Sequence, residues 1–313
     1  MATRFELVLH GEDEAALRAA GEEALDEIAQ LEDELSYFRP TSQIYRLNQE
    51  AAIHPQRVTP WLFNLLKQAR ELSDESGGTF DVTVAPLMRC WGFYTREGRV
   101  PEPGVLAAAR SCVGMHLVKL NEADSTVHFT RAGVQLDFGS IGKGYAVERA
   151  GKLLRESGIN SALLHGGTST VLAIGAPPNS DGWKIALEHP ANLQSSQEHT
   201  DVMVRPLATV TLRDESLSVS AVWGKSFTAA DKSYGHLIDP RTGQPTEGAL
   251  LAAVVLPSAT ESDALSTMLL TLGPDGLRKV LQLRNGVRAL AASKGSAEVP
   301  LRVESTGFDL PRT

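Results

Sequence analysis

The chain has 313 residues, 42% of them hydrophobic and 22% charged, with a formal net charge of −8. That length allows one large domain or two smaller ones with ample chain to bury a core, and the balance is that of an ordinary globular protein. An acidic chain lacks the basic face on which non-specific nucleic-acid binding depends, and an anionic membrane surface repels it.

Two cysteines, Cys90 and Cys112, have no metal-type spacing and are too few for a disulfide framework, so they read as reduced, partly buried thiols. The opening MATRFELVLHGEDE has no basic segment followed by an apolar one and no lipid-attachment cysteine. As written it predicts a cytoplasmic protein, or a periplasmic one if a leader has been trimmed. No run approaches the ~18 consecutive apolar residues of a membrane span.

In chain order, Phe5 to Leu9 alternates and predicts a first strand, and Glu12 to Leu35 an amphipathic helix with Leu17, Gly21, Ala24, Ile28, Leu31 and Leu35 on one side. SYFRPTSQIYRLNQ is a polar loop followed by a short helical piece. Pro60 opens a helix whose stripe is Trp61, Leu62, Leu65, Leu66, Ala69 and Leu72, closed by Gly77 and Gly78. TFDVTVAPLMRCWGF, from Thr79 to Phe93, clusters Phe80, Trp91 and Phe93 with Asp81: either a pocket wall or a core segment with one carboxylate at its edge.

Residues 105 to 130 predict a short helix and two strands, Leu117 to Leu120 and Val127 to Thr130, around the turn NEADS. Val134 and Leu136 lead into the glycine-rich turn of QLDFGSIGKGYAVE, with a helix from Lys143 to Ser157: strand, tight loop, helix start. Glycines there let amides face an anion, and a helix N-terminus and Lys143 add positive charge. The spacing matches neither a Walker A loop nor a dinucleotide fingerprint, so the residues alone allow a phosphate site or an ordinary strand-to-helix turn with a solvated lysine.

Strands follow around a glycine turn between Leu163 and Gly175, then at Trp183 to Leu187, Leu207 to Leu212, Ser216 to Ser220, Ser226 to Ala229 and Leu250 to Leu256. Asn192 to Asp201 reads as a polar surface loop. Glu261 to Leu272 and Asp275 to Asn285 predict helices, and residues 287 to 308 hold closing strands. Strands and helices segregate in runs, which points to an α+β fold with mostly antiparallel sheets flanked by helices.

Asp263 and Thr267, four apart near a helix start, share a face and can meet one hard cation such as Mg²⁺, though an aspartate there also serves as a cap. His236, in SYGHLIDPRTGQP, is either a general base, since imidazole titrates near neutrality, or a histidine bonded to its turn. Asp81 or Asp239 could orient such a site. The other histidines are scattered without ligand spacing.

MATRFEL, SYFRPTSQIYRLN, FDVTVAPLMRCWGF, LDFGSIGKGYAVERA, SYGHLIDPRTGQP and ESDALSTMLLTLG resemble, in order, the segments of the ApbE family of FAD-dependent protein FMN transferases, from Met1 to about Gly286. The resemblance implies an ApbE-like, T-fold-related architecture, either a single domain of residues 1–313 or two intimately packed α+β lobes of it with the site between them. It implies that FAD is split at its pyrophosphate, that FMN is joined to a threonine or serine hydroxyl of an acceptor flavoprotein, and that AMP leaves. It implies Mg²⁺ on the side chains of Asp263 and Thr267, a main-chain oxygen of Ser140 and a contact at Ser266. Flavin and adenine contacts fall on Met1, Phe38, Trp91, Gly92, Phe93, Asp137, Lys143 and Leu237, and His236 takes the position of the catalytic histidine.

Two other activities would use the same residues: an FAD pyrophosphatase giving FMN and AMP, and a non-catalytic FAD-binding protein. The chain also departs from the family pattern. SVSAVWGKSF replaces a Thr-Ser-Gly-Asp-Tyr-like run, putting Ala221 and Val222 where a glycine and an acid are usual, and Gly166-Gly167 is followed by Thr168 and Ser169 instead of an aspartate. Both departures bear on the acceptor side of the cleft.

Overall fold

The computed structural model describes residues 3–95, 97–190, 206–223, 226–230, 232–296 and 300–311. The polar stretch from Asn192 to Asp201 lies outside them, as does Met1. The chain forms two compact units, one built from residues 29–142 and 224–247, the other from residues 2–28, 143–223 and 248–313. Every strand pairing among the described residues is antiparallel, as the segregated pattern predicts. No described helix is long and apolar enough to cross a membrane.

The first unit holds a three-stranded sheet in the order Gln56–Arg57, Thr126–Phe129, Val118–Asn121 and a hairpin of Ser226–Ala229 with Lys232–Gly235. Its helices are Gln43–Glu50, Pro60–Ser76, Ala85–Cys90 and Pro103–Arg110. In the helix Pro60–Ser76, Leu62, Leu65, Leu66, Ala69 and Leu72 are buried as expected, while Trp61 is not and Phe63 is buried in addition. Each such leucine contributes about 1.5–3 kcal/mol by leaving water.

The predicted strand before the glycine turn is not one. Residues 134–138 join no ladder, and a side chain takes the place of a neighbouring strand. Asn48 accepts from the Leu136 amide through Oδ1 at 2.7 Å and donates through Nδ2 to the Leu136 carbonyl at 2.9 Å, while the Asp137 amide donates to the Val82 carbonyl. A primary amide offers the same donor and acceptor pair as a backbone peptide, which satisfies the segment without a sheet.

The second unit is organised on a seven-stranded sheet in the order Phe5–Leu9, Ala162–Gly166, Thr170–Ile174, Ser216–Ala221, Leu251–Leu256, Arg288–Lys294, Leu301–Thr306. Leu251–Leu256 and Thr170–Ile174 are buried at every position, which is why they read as continuous apolar runs without alternation. On one face lies a core of Leu163, Val171, Leu217, Val255 and Leu290 with Trp183, Val210 and Leu212 from the pair Trp183–Leu187 and Ala208–Leu212. The helix Ala259–Leu272 packs on Ser216–Ala221 and Leu251–Leu256, and Leu277–Leu283 packs on Arg288–Lys294. The predicted helix at Asp275 begins as a turn of 3₁₀ helix, Pro274–Gly276.

Candidate active site

The glycine turn ends in the helix Gly142–Glu156, and the anion it meets is a side chain. Asp263, in the second turn of the helix Ala259–Leu272, is 3% exposed; its Oδ2 accepts from the Gly144 amide at 2.9 Å and its Oδ1 lies 3.6 Å from Lys143 Nζ. A buried carboxylate is costly unless charge and hydrogen bonds compensate it, and here an ammonium and a first-turn amide do so. Gly144 is required by this approach, since a Cβ there would lie 2.2 Å from the Ala259 carbonyl oxygen and 2.8 Å from Asp263 Cβ.

The arrangement is reciprocal. Glu148 of the first helix accepts from the Ser258 hydroxyl at 2.7 Å and the Thr260 amide at 2.9 Å, at the start of the second, where Ser258 also caps the Glu261 amide. Each helix thus places a carboxylate against first-turn amides of the other, where the helix dipole favours negative charge. Asp263 is therefore not its own helix's cap; Ser258 and Glu148 fill that role.

Hydroxyls complete the cluster. Ser266 Oγ and Thr267 Oγ1 reach the Asp263 carbonyl at 2.9 and 3.3 Å, and Ser220, from the strand Ser216–Ala221, lies 2.8 Å from Ser266 Oγ and 3.2 Å from Thr267 Oγ1. One carboxylate among hydroxyls is an all-oxygen donor set, which fits a hard cation that draws its other ligands from water or phosphate. No group of three or more His, Cys, Asp or Glu side chains among the described residues is placed to hold a metal ion.

The first unit gathers the aromatic residues. Trp91 is 1% exposed, donates through Nε1 to the Gly243 carbonyl at 2.8 Å, and packs with Tyr234 and Phe227 at 5.4 and 6.4 Å between ring centroids. Phe93 meets Phe227 at 5.6 Å and the His236 ring edge-on at 6.5 Å. Gly92 has φ 77°, and a Cβ there would lie 2.2 Å from the Glu97 carbonyl oxygen. This is core packing, and Asp81 belongs to it too: its carboxylate is filled by Ser73, the Met115 amide and both the amide and hydroxyl of Thr83. Of the two readings of this segment, the core one describes Trp91 and Asp81.

Asp239 is likewise spent on its own turn, accepting from the Arg241 backbone and guanidinium at 2.8–3.3 Å while Gly243 closes the turn onto its carbonyl. Leu237 accepts through its carbonyl from the Thr246 amide at 2.8 Å, and Ser140 lies half-buried in the turn between Phe138 and Gly142.

Phe38 is 62% exposed, at the edge of a stack in which Tyr37 and Tyr94 lie 4.4 Å apart. Asp137 accepts from the Tyr94 hydroxyl and, at 2.7 Å, from the Gly139 amide. Burial, and then the neighbouring Asp137 charge, push the Tyr94 phenol far above its ordinary range, so it stays a donor; burial also raises Tyr37. Sequence reasoning missed Tyr94, Glu148 and Ser220. Only the serine of the departing SVSAVWGKSF run carried any signal.

A model of the ApbE family matches residues 1–291. Relatives include the FAD:protein FMN transferase of Klebsiella pneumoniae (strain 342), 27% identical over 292 residues, 90% of this chain and 79% of that protein. That of Treponema pallidum (strain Nichols) is 29% identical over 290 residues, 88% and 77% of the two. Among solved structures, the flavinyl transferase ApbE of Pseudomonas stutzeri is 28% identical with a TM-score of 0.79, covering 97% of this chain and 95% of that one. The ApbE protein of Thermotoga maritima, at 23% identity and a TM-score of 0.83 over 97% of each chain, shares the fold. Matched by the family model over nearly its whole length, and alike in fold to these structures, the chain belongs to the ApbE family.

Proposed function

We propose that the chain is an FAD:protein FMN transferase, cleaving the FAD pyrophosphate, joining FMN through a phosphoester to a serine or threonine hydroxyl of an acceptor flavoprotein and releasing AMP. The observation that carries this reading is the buried Asp263 carboxylate, met by the Gly144 amide and Lys143, with Thr267 one helical turn further on and its hydroxyl on the Asp263 main-chain carbonyl. Phosphoryl transfer asks a protein for positioning and for positive charge where negative charge develops, with little covalent work. Names of relatives such as those of Klebsiella pneumoniae and Treponema pallidum support the same activity.

Mg²⁺ would be held by the Asp263 carboxylate and the Thr267 hydroxyl, with Ser140 through its main-chain oxygen and Ser266 as further oxygens, and when bound it supplies charge neutralisation at the pyrophosphate. Lys143 adds a second positive charge there. Phe38, Asp137 and Leu237, with Met1 and the Trp91–Phe93 segment, take the flavin and adenine contacts that the family pattern gives them; the packed core behind Trp91 keeps that segment rigid. His236 accepts the proton of the acceptor hydroxyl as its oxygen bonds to the FMN phosphorus. The bond from that phosphorus to the bridging oxygen breaks, and the oxygen leaves with AMP.

The test is to incubate the chain with FAD, Mg²⁺ and a flavoprotein acceptor, then to read flavin fluorescence on the acceptor in a denaturing gel and AMP in solution. Labelled acceptor with AMP is expected. FMN and AMP without label would make the chain a pyrophosphatase, and FAD held unchanged would make it a carrier. His236→Ala should keep FAD but lose about 10²–10⁴ in transfer rate; full activity in that variant would remove His236 as the base.

A further inference from the structure

The strand Ser216–Ala221, which leads into the departing run SVSAVWGKSF, carries three serines, Ser216, Ser218 and Ser220, on alternate positions and therefore on one face of it. Leu217, on the opposite face, is in the apolar core, with Val219 packed against it. The serine face belongs to a strand on which the helix Ala259–Leu272 packs. Hydroxyls on such a face cost free energy unless they are bonded. Ser218 donates to Thr170 Oγ1 at 3.3 Å, and Ser220 meets Ser266 and Thr267.

Proton accounting then gives Ser220 a task. A hydroxyl has one proton to give and can accept two. The shorter contact to the Asp263 carbonyl, 2.9 Å, takes the Ser266 proton. Ser266 Oγ is then an acceptor, and the Ser220 proton fills it at 2.8 Å. That leaves Ser220 Oγ as an acceptor facing Thr267 Oγ1 at 3.2 Å, so the Thr267 proton has two acceptors within reach, Ser220 and the Asp263 carbonyl at 3.3 Å. A threonine oxygen can bind a cation only with its proton pointed away from the ion, so the partner that takes the proton decides where the lone pairs face.

We infer that Ser220 is a positioning residue of the cation site: it takes the Thr267 proton, passes its own to Ser266, and so turns a Thr267 lone pair toward a divalent ion beside Asp263. The inference rests on the cation reading proposed above and extends it to a residue outside the ligand set, in the run that the sequence assigned to the acceptor side. Such outer partners typically govern about 10–100-fold in metal affinity.

Mn²⁺ binding, followed by loss of the free-ion electron paramagnetic resonance signal on titrating the FAD-loaded chain, reads this without turnover. Ser220→Ala should weaken Mn²⁺ about tenfold, and raise the Mg²⁺ concentration needed for half-maximal transfer more than it lowers kcat at saturating Mg²⁺. Ser220→Thr, which keeps the hydroxyl, should restore most of the affinity. Ser218→Ala removes a buried hydroxyl from the same face and should shift thermal stability but leave Mn²⁺ affinity unchanged. Wild-type affinity in Ser220→Ala, or an equal loss in Ser218→Ala, would overturn the inference. If the wild-type chain bound no Mn²⁺, or if Asp263→Ala bound it as well as wild type, the cation reading itself would fall and the inference with it.

Discussion

The two places where the site residues gather are built on opposite principles. Around Trp91, rings from residues 91–93 and 227–236 fill space, and what holds them is shape. Around Asp263, buried oxygens and one ammonium are held by matching donors to acceptors. The first kind of cluster responds to volume. The second responds to a single proton or charge, and its members are useful to a ligand because their bonds can be exchanged for bonds to it.

The comparison breaks first, and hardest, at Trp91. Trp91→Ala should cost about 3–5 kcal/mol, the usual range for emptying a large aromatic site, read as a lower urea midpoint. A loss below about 1 kcal/mol would mean that the rings are not the core of that unit. Lys143→Met keeps the length and apolar stem but leaves Asp263 with the Gly144 amide alone. It should cost about 2–3 kcal/mol, less than the ~3–5 kcal/mol of unpairing a fully buried charge, because the lysine still reaches water. Since the loss comes from the bared carboxylate, Lys143→Met combined with Asp263→Asn should recover most of it, and no recovery would separate the two residues energetically.

A smaller effect is expected where an aromatic residue serves a charge. Tyr94→Phe keeps the stack with Tyr37 but removes the hydrogen bond to Asp137, for about 1.5–2 kcal/mol. The sign of its pH dependence follows from the raised phenol. In the unfolded chain Tyr94 ionises near pH 10, whereas in the fold it stays protonated, so its contribution is complete below pH 10 and falls away as pH rises above that. The alkaline limb of the wild-type stability profile should accordingly be steeper than that of Tyr94→Phe. Identical limbs would show that burial and Asp137 together do not hold the phenol protonated.

The same division decides what could be read in the sequence. Elements whose signal is periodic were legible: Phe5–Leu9 and Ser226–Ala229 fall where the alternation puts them, and Pro60 with Gly77 bounds its helix. The helix Ala85–Cys90 was hidden, because TFDVTVAPLMRCWGF is rich in aromatic and β-branched residues and the helix is only six residues long. Lys232–Gly235 was missed because an exposed hairpin strand has no apolar face to announce it. Site residues inside contiguous motifs, such as Lys143, His236, Asp263 and Thr267, could be named from the chain. Ser220 and Glu148 could not, since each acts only on partners far along the sequence, 46 residues away for Ser220–Ser266 and 110 for Glu148–Ser258.

Asp263→Asn is the most direct measurement, because it keeps the side chain's size and an oxygen for the Gly144 amide while removing the charge on which Lys143 and a divalent ion would converge. With FAD, Mg²⁺ and a flavoprotein acceptor, the folded variant should leave the acceptor unlabelled and release no AMP at Mg²⁺ concentrations that saturate the wild-type chain. Acceptor labelling at the wild-type rate by a folded Asp263→Asn protein would contradict the account.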